Sequence, residues 1–218
     1  MKSVLVTGGT VRLGEAIAEH LRSLGWRTLT TSSRPDSGAD IIGDFREPSG
    51  AAEVYAAALR LLGGVPPDAL VNNASLFTGS DADIEAVGLT APKKLTILMA
   101  GRETAGRGAV VNILDAEEPG GDSGTVRNAE YREVKRALRE YTRLSAAMFI
   151  DTLRVNSVSP GPIAGLAPVG VREKAGVCPL GRPEAREVAK AVAYLLEAEA
   201  VTGQDIAVDG GLTGLISG

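Results

Sequence analysis

Three features of this 218-residue chain predict an α/β fold, a doubly wound parallel sheet of about seven strands with helices on both faces. Short β-rich apolar runs alternate with longer stretches of helical period, the pattern of a parallel sheet covered on both sides. The first run ends in a glycine turn, Thr7-Gly8-Gly9-Thr10-Val11-Arg12-Leu13-Gly14, which opens directly into a helical stretch. The connections are short, and no repeat, low-complexity tract or linker interrupts them, so 1–218 reads as a single domain with one core.

The elements follow in order. The run Lys2-Ser3-Val4-Leu5-Val6-Thr7 predicts a strand over 2–7 and is too brief for a signal segment or a membrane span. Further strands are expected near 27–31, 40–43, 69–72, 108–114, 153–158 and 204–208, and helices near 13–24, 50–62, 82–104, 126–149 and 184–198. Two stretches rich in Pro and Gly, 115–126 and 160–183, follow predicted strands at their carboxyl ends, where open α/β sheets bind ligands. The second of these reads as a substrate loop.

Composition excludes several classes of function. A net charge of −4 and a pI near 5.2 give no positive field to draw the chain to nucleic acid or anionic lipid. Arg127, Arg132, Arg136, Arg139 and Arg143 do gather on one predicted helix, but Glu130, Glu133 and Glu140 are interleaved, so a solvated or subunit-facing surface is expected. The single Cys178 allows no internal disulfide, and no metal-ligand cluster accompanies it; a cytoplasmic protein is expected. His20, on the first helix, reads as structural or surface.

A glycine turn between strand and helix offers free N–H groups and a positive helix end to a phosphate, although a purely structural turn has the same residues. After the second strand, Thr31-Ser32-Ser33-Arg34 carries hydroxyls and a guanidinium where an NAD site carries an acid for the ribose diol. That chemistry suits the 2′-phosphate of NADPH through charge-assisted hydrogen bonds. Farther along, Tyr131 and Lys135 lie four residues apart on one helix face, so the ammonium can stabilise the phenolate and make the phenol a usable proton donor.

With Thr7-Gly8 to Gly14, Asn72-Asn73-Ala74, Tyr131 to Lys135, Pro160-Gly161-Pro162 and the closing Gly203-Gln204-Asp205-Ile206-Ala207-Val208-Asp209-Gly210-Gly211 in this order, the chain resembles the short-chain dehydrogenase/reductase family over nearly its whole length. The resemblance implies a Rossmann-like domain binding NADPH. Gly8, Thr10, Arg12 and Leu13 would meet the cofactor at the first turn, Ser33 and Arg34 at the 2′-phosphate, and Asp44 and Phe45 at the adenine. Asn72, Asn73, Ala74 and Ser75 would run along it, Tyr131 and Lys135 would lie near the nicotinamide ribose, and Pro160, Gly161 and Ile163 would follow the sixth strand. It further implies a homo-oligomer, tetramer or dimer, built through the helices near 82–104 and 126–149 and the last strand.

The departures narrow the resemblance. Arg12 stands at the family's usual middle glycine, Asp115 at the serine that partners the tyrosine, and Ser75 where most members have glycine, with Phe77 two residues on. Together with Tyr131 and Lys135 these residues are similar to the pteridine reductase branch. That likeness implies a pterin between the nicotinamide and Phe77, Arg12 beside the cofactor phosphates and the substrate, and Ser75, Asp115 and Tyr131 at the substrate. Asp115 and Tyr131 would deliver the proton. A flat heteroaromatic ring needs a ring to stack on, and a reducible C=N needs a hydride on carbon and a proton on nitrogen. The plainer readings are a core aromatic for Phe77 and a turn cap for Asp115.

Gly88 occupies the place of the asparagine that commonly serves the family's proton relay, and the segments 34–41 and 78–88 are short. A helix after the second strand is therefore expected to be missing, and the one after Phe77 trimmed. The chain is expected to be an NADPH-dependent reductase of a pterin-like (dihydropteridine) or related C=N or C=O compound. The alternatives are an NADP(H)-dependent ketone/alcohol oxidoreductase of a specialised pathway and a non-catalytic NADP-binding regulator, for which Gly88 is the one positive hint.

Overall fold

The computed structural model describes residues 1–104, 106–116, 129–166 and 178–214. Seven strands form one sheet: β1 (Ser3–Val6), β2 (Arg27–Ser32), β3 (Ile41–Ile42), β4 (Ala69–Asn72), β5 (Gly108–Ile113), β6 (Leu153–Pro160) and β7 (Asp205–Val208). Their order is β3-β2-β1-β4-β5-β6-β7, and every pair is parallel. The helices are α1 (Arg12–Ser23), α2 (Gly50–Leu61), α3 (Asp81–Glu85), α4 (Ala91–Ala100), α5 (Ala129–Met148) and α6 (Ala185–Glu197), with a widened π-type turn, Ala86–Thr90, joining α3 to α4. Each predicted strand is present within about two residues, a normal boundary scatter.

Three differences have local causes. The helix expected over 82–104 is broken by the π-type turn and ends at Ala100, because Gly101 follows and the Arg102 side chain turns away to the Thr104 hydroxyl and the Pro67 carbonyl. No helix separates β2 from β3. Instead the Asp40 carboxylate accepts from the N–H and hydroxyl of Thr30, both at 2.8 Å, and folds the link back onto β2. The expected start of α5 at 126–128, most of the loop 115–126 and residues 167–177 of the 160–183 loop lie outside the described residues.

Burial on both sides explains the near-continuous apolar strands. Period-two alternation sends Val4 and Val6, Ala69 and Val71, and Ala109, Val111 and Ile113 to one face, against Ile17 and Leu21 of α1 and Val188, Val192 and Leu195 of α6. Leu5, Leu70 and Val110 point to the other face, against Val54 and Ala58 of α2 and Leu95 and Met99 of α4. Each fully buried aliphatic side chain contributes about 1.5–3 kcal/mol. Of the α5 arginines expected in solvent, Arg132, Arg136 and Arg143 are exposed; Arg139 is not, with its side chain only 19% exposed, and Arg127 is outside the described residues. No described helix is long and apolar enough to cross a membrane.

Asp209 fixes the carboxyl edge of β6 and β7. Its carboxylate accepts from the Gly211 N–H (2.9 Å), the Thr213 N–H (2.9 Å) and the Thr213 hydroxyl (2.6 Å), while Gly161 packs so closely that a Cβ there would lie 2.7 Å from the Asp209 Cα. Burial pushes its pKa up, but the Thr213 hydroxyl and the N–H groups of Thr213, Gly211 and Leu212 outweigh it and hold the carboxyl below the ordinary range. A depressed carboxyl contributes stability above its unfolded value of about 4 and loses it as pH falls through the lower folded value. Asp209→Asn is therefore expected to lower the unfolding free energy by about 1–3 kcal/mol near neutral pH and by much less at strongly acid pH, read by urea denaturation at both.

Candidate active site

The strand order reverses between β1 and β4, so the crevice at their carboxyl ends is the natural ligand site of this sheet. On one wall, Gly8 adopts φ +61°, and its N–H donates to the Thr31 hydroxyl at 3.2 Å. A Cβ on Gly14 would lie 2.1 Å from the Gly8 carbonyl, so the helix can begin this close to the strand only with glycine there. The Thr7 hydroxyl accepts from the N–H groups of Asn73 (2.9 Å) and Ala74 (3.0 Å), and the Asn73 amide donates to the Thr7 carbonyl (2.9 Å) and the Gly8 carbonyl (3.1 Å), locking both walls together. The N-cap residue of α1, Val11, makes no side-chain cap hydrogen bond, so the helix start can offer N–H groups to an anion. This cradle fits a dinucleotide phosphate.

Arg12 holds φ +54°, and among the described residues it is the one non-glycine in the left-handed region. The conformation costs an L-residue about 1–2 kcal/mol, which explains why glycine is usual at this place. In return the guanidinium donates to the Leu166 carbonyl and ties the first turn to the segment after β6. Thr10 and Leu13 flank it in the chain; Pro160 closes β6, Gly161 packs against Asp209, and Ile163 packs on the core under α1 and α6.

The residues proposed for the adenosine half are spread along the same edge. Ser33 and Arg34 are exposed just beyond β2. Asp44 is gripped by Arg46, whose Nε lies 2.9 and 3.0 Å from the two carboxylate oxygens; the Arg46 hydrogen bond holds the Asp44 carboxyl below its usual range. Phe45 is buried in the core with Val54 and Tyr55. The Asn72 side chain also lies in the interior, donating to Asn112 at 2.8 Å, and Asn112 donates in turn to Thr142 of α5 at 2.9 Å.

Past β4 and β5 the chemistry concentrates. Tyr131, 2% exposed, donates its hydroxyl to Asp115 Oδ2 at 2.5 Å. The Lys135 ammonium donates to the Ile113 carbonyl at 2.7 Å and sits 5.5 Å from the Tyr131 ring centroid, so positive charge stands where negative charge develops as the phenol gives up its proton. The Phe77 ring, 45% exposed, stacks on the Tyr131 ring at 4.9 Å and 29°. Phe77 is thus a partly exposed ring beside Tyr131 and not a core aromatic. The Ser75 hydroxyl beside this segment is buried without a partner among the described residues. Asp115, Tyr131, Lys135 and Phe77 are brought together; Arg34 and Asp44 lie farther along the strand ends.

Sequence reasoning placed Thr7 and Thr31 in motifs without giving either a contact of its own, and it read Arg139 as a solvated or subunit-facing residue. The spacing of Arg139, four residues after Lys135 and eight after Tyr131, is the signal that could have found it. Cys178 is buried against Ala116 and Leu212, directly behind the Asp115 segment.

A family model described as enoyl-(acyl carrier protein) reductase matches residues 43–213. The chain is 33% identical to predicted ketoacyl reductase 1 of the granaticin polyketide synthase of Streptomyces violaceoruber, over 95% of this chain and 92% of that one. It is 28% identical to the 3-oxoacyl-[acyl-carrier-protein] reductase of Vibrio cholerae, over 97% of each. A third relative, trans-4-hydroxycyclohexanecarboxylate dehydrogenase of Sinomonas cyclohexanicum, is 33% identical over 67% of this chain and 60% of its own.

Gly88 lies inside the π-type turn, and a Cβ on it would meet Val134 Cγ1 of α5 at 2.6 Å. Val134 is β-branched and stiff on its helix, so it cannot yield cheaply, and an asparagine side chain has no room here. Gly88→Ala is expected to destabilise by about 1–3 kcal/mol despite alanine's better helix propensity. Gly88→Ala/Val134→Ala should lose clearly less than the sum of the two single changes in a thermal-denaturation cycle.

Proposed function

The chain belongs to the short-chain dehydrogenase/reductase family, and from that premise we propose that it is an NADPH-dependent reductase of a pterin-like (dihydropteridine) ring or a related C=N or C=O compound. One observation carries the reading: a carboxylate, Asp115, is hydrogen-bonded to the Tyr131 phenol, and one face of the same phenol is covered by the partly exposed ring of Phe77. A flat substrate replaces Phe77 over Tyr131 or slides against its outer face, and stacking on an aromatic ring favours heteroaromatic over aliphatic compounds.

The bound nicotinamide supplies the hydride. Tyr131 gives its proton to the substrate nitrogen or oxygen, and the fixed ammonium of Lys135 stabilises the phenolate left behind. Asp115, partly exposed, passes a proton from solvent back to that phenolate across their hydrogen bond, a route that does not need a side chain at Gly88. NADPH is favoured by Ser33 and Arg34, exposed just beyond β2, whose hydroxyl and guanidinium suit a 2′-phosphate, while the Asp40 carboxylate of the same link is bound back to Thr30. The uncapped α1 start, Gly8, Thr10, Arg12 and Leu13 take the phosphates; Asn73, Ala74, Ser75, Pro160, Gly161 and Ile163 line the path to Tyr131. The 160–183 segment serves as the substrate loop of this single domain.

A cytoplasmic homo-oligomer fits this reading, supported by Ile97, Leu144 and Met148, large apolar side chains left exposed on α4 and α5. A second reading, reduction of an ordinary ketone, draws its support from relatives named for ketoacyl reduction and alcohol oxidation. A non-catalytic role is disfavoured by the assembled Asp115, Tyr131 and Lys135.

NADPH oxidation with dihydrobiopterin, set beside a panel of ketones, separates the two enzyme readings. With whichever substrate is turned over, Tyr131→Phe should lower turnover by about 10²–10⁴-fold, and a loss below tenfold would remove Tyr131 as the acid. Arg34→Ala should raise the KM for NADPH by about 10-fold or more while leaving that for NADH nearly unchanged, since only NADPH brings the 2′-phosphate.

A further inference from the structure

Tyr131, Lys135 and Arg139 succeed one another at four-residue steps on α5 and all reach the carboxyl end of β5. Arg139 Nη2 donates to the Asp115 main-chain carbonyl at 2.8 Å and to the Ser159 hydroxyl at 3.4 Å, and its Nε lies 3.3 Å from Asp205 Oδ2. Asp205 is itself anchored, accepting from the hydroxyls of Ser157 (2.9 Å) and Ser159 (2.8 Å). One guanidinium therefore joins α5 to the exit of β5, the end of β6 and the start of β7. A planar fork of five donors on three separated nitrogens reaches acceptors on three elements at once in one fixed geometry.

We propose that Arg139 is a positioning residue for Asp115, with Asp205 fixing the guanidinium that holds it. Asp115 has already left β5, which ends at Ile113. Its neighbours are held by main-chain bonds, Leu114 N–H to the Val158 carbonyl at 2.8 Å and Ala116 N–H to the Pro160 carbonyl at 2.9 Å. The Asp115 carbonyl is held by Arg139. With the main chain fixed on all three residues, the carboxylate has only its own side-chain torsions to lose in meeting Tyr131. The part-exposed Arg139–Asp205 pair adds little to global stability, so its effect falls on the geometry of the acid pair.

This inference rests on Asp115 and Tyr131 acting as the proton-delivering pair, and its test includes one arm that needs no substrate. In that arm, proton NMR follows the downfield hydroxyl signal of Tyr131, assigned by its loss in Tyr131→Phe. Arg139→Met should abolish or broaden it, and Arg139→Lys, which can still donate to the carbonyl, should keep part of it. In the kinetic arm, with dihydrobiopterin or a ketone, whichever the wild type reduces, Arg139→Met should lower kcat by about tenfold or more and leave the KM for NADPH within about twofold. Arg139→Lys should recover part of the loss, and Asp205→Asn should show a smaller loss in the same direction. An Arg139→Met protein with the signal intact and kcat within about twofold of wild type, changed only in melting temperature, overturns the proposal. A wild type that reduces a ketone and no dihydropterin removes the substrate reading alone, and the signal still decides the role of Arg139.

Discussion

The seating of α5 on the carboxyl end of β5 is the constraint on which the rest of the site depends. Lys135 is 6% exposed, and a buried ammonium is costly unless it finds acceptors; it finds the Ile113 carbonyl at 2.7 Å. That contact fixes the helix register. Four residues earlier the same register delivers Tyr131 to the Asp115 carboxylate, and four residues later it delivers Arg139 to the Asp115 carbonyl, two residues beyond Ile113. Beneath them, the Asn72–Asn112–Thr142 amide and hydroxyl chain ties β4, β5 and α5 together, so the acid pair stands on a rigid floor. A one-residue slip of the helix would break all of these contacts together.

The other wall is governed by sterics. Gly14 must be glycine for α1 to approach β1, whereas Arg12 tolerates a left-handed backbone and gains a contact to Leu166. Local strain is thus exchanged for a link between the cofactor turn and the segment after β6. The same trade in reverse appears at Gly88, where the absent side chain lets Val134 close against the π-type turn.

Much of this was legible in the sequence because it follows from short-range rules. Period-two and helical patterns located the seven strands and the long helices, and the i, i+4 spacing paired Tyr131 with Lys135. The shortness of 34–41 foretold a link without a helix, although Asp40 as its clasp was not foreseen. What escaped depends on contacts distant along the chain. Arg139 reads as one more solvated arginine until β6 and β7 supply Ser159 and Asp205 some 20 and 66 residues away. Phe45 and Asn72 sit in motifs that suggest the crevice, yet neighbouring apolar and amide groups draw their side chains inward. The break in the helix at 86–90 is signalled only by Gly88 and by Pro92, which lacks an N–H and stands in the first turn of α4.

The proposed reaction requires a flat substrate to meet the Asp115–Tyr131 pair beside Phe77. A crystal structure with NADP and a dihydropterin tests this most directly. It should show the pterin ring parallel to the Phe77 ring, Phe77 displaced from Tyr131 where needed, and the reducible C=N nitrogen within hydrogen-bonding distance of the Tyr131 hydroxyl. A complex in which the pterin is absent or bound away from Tyr131, with Phe77 still stacked on the phenol, would contradict it.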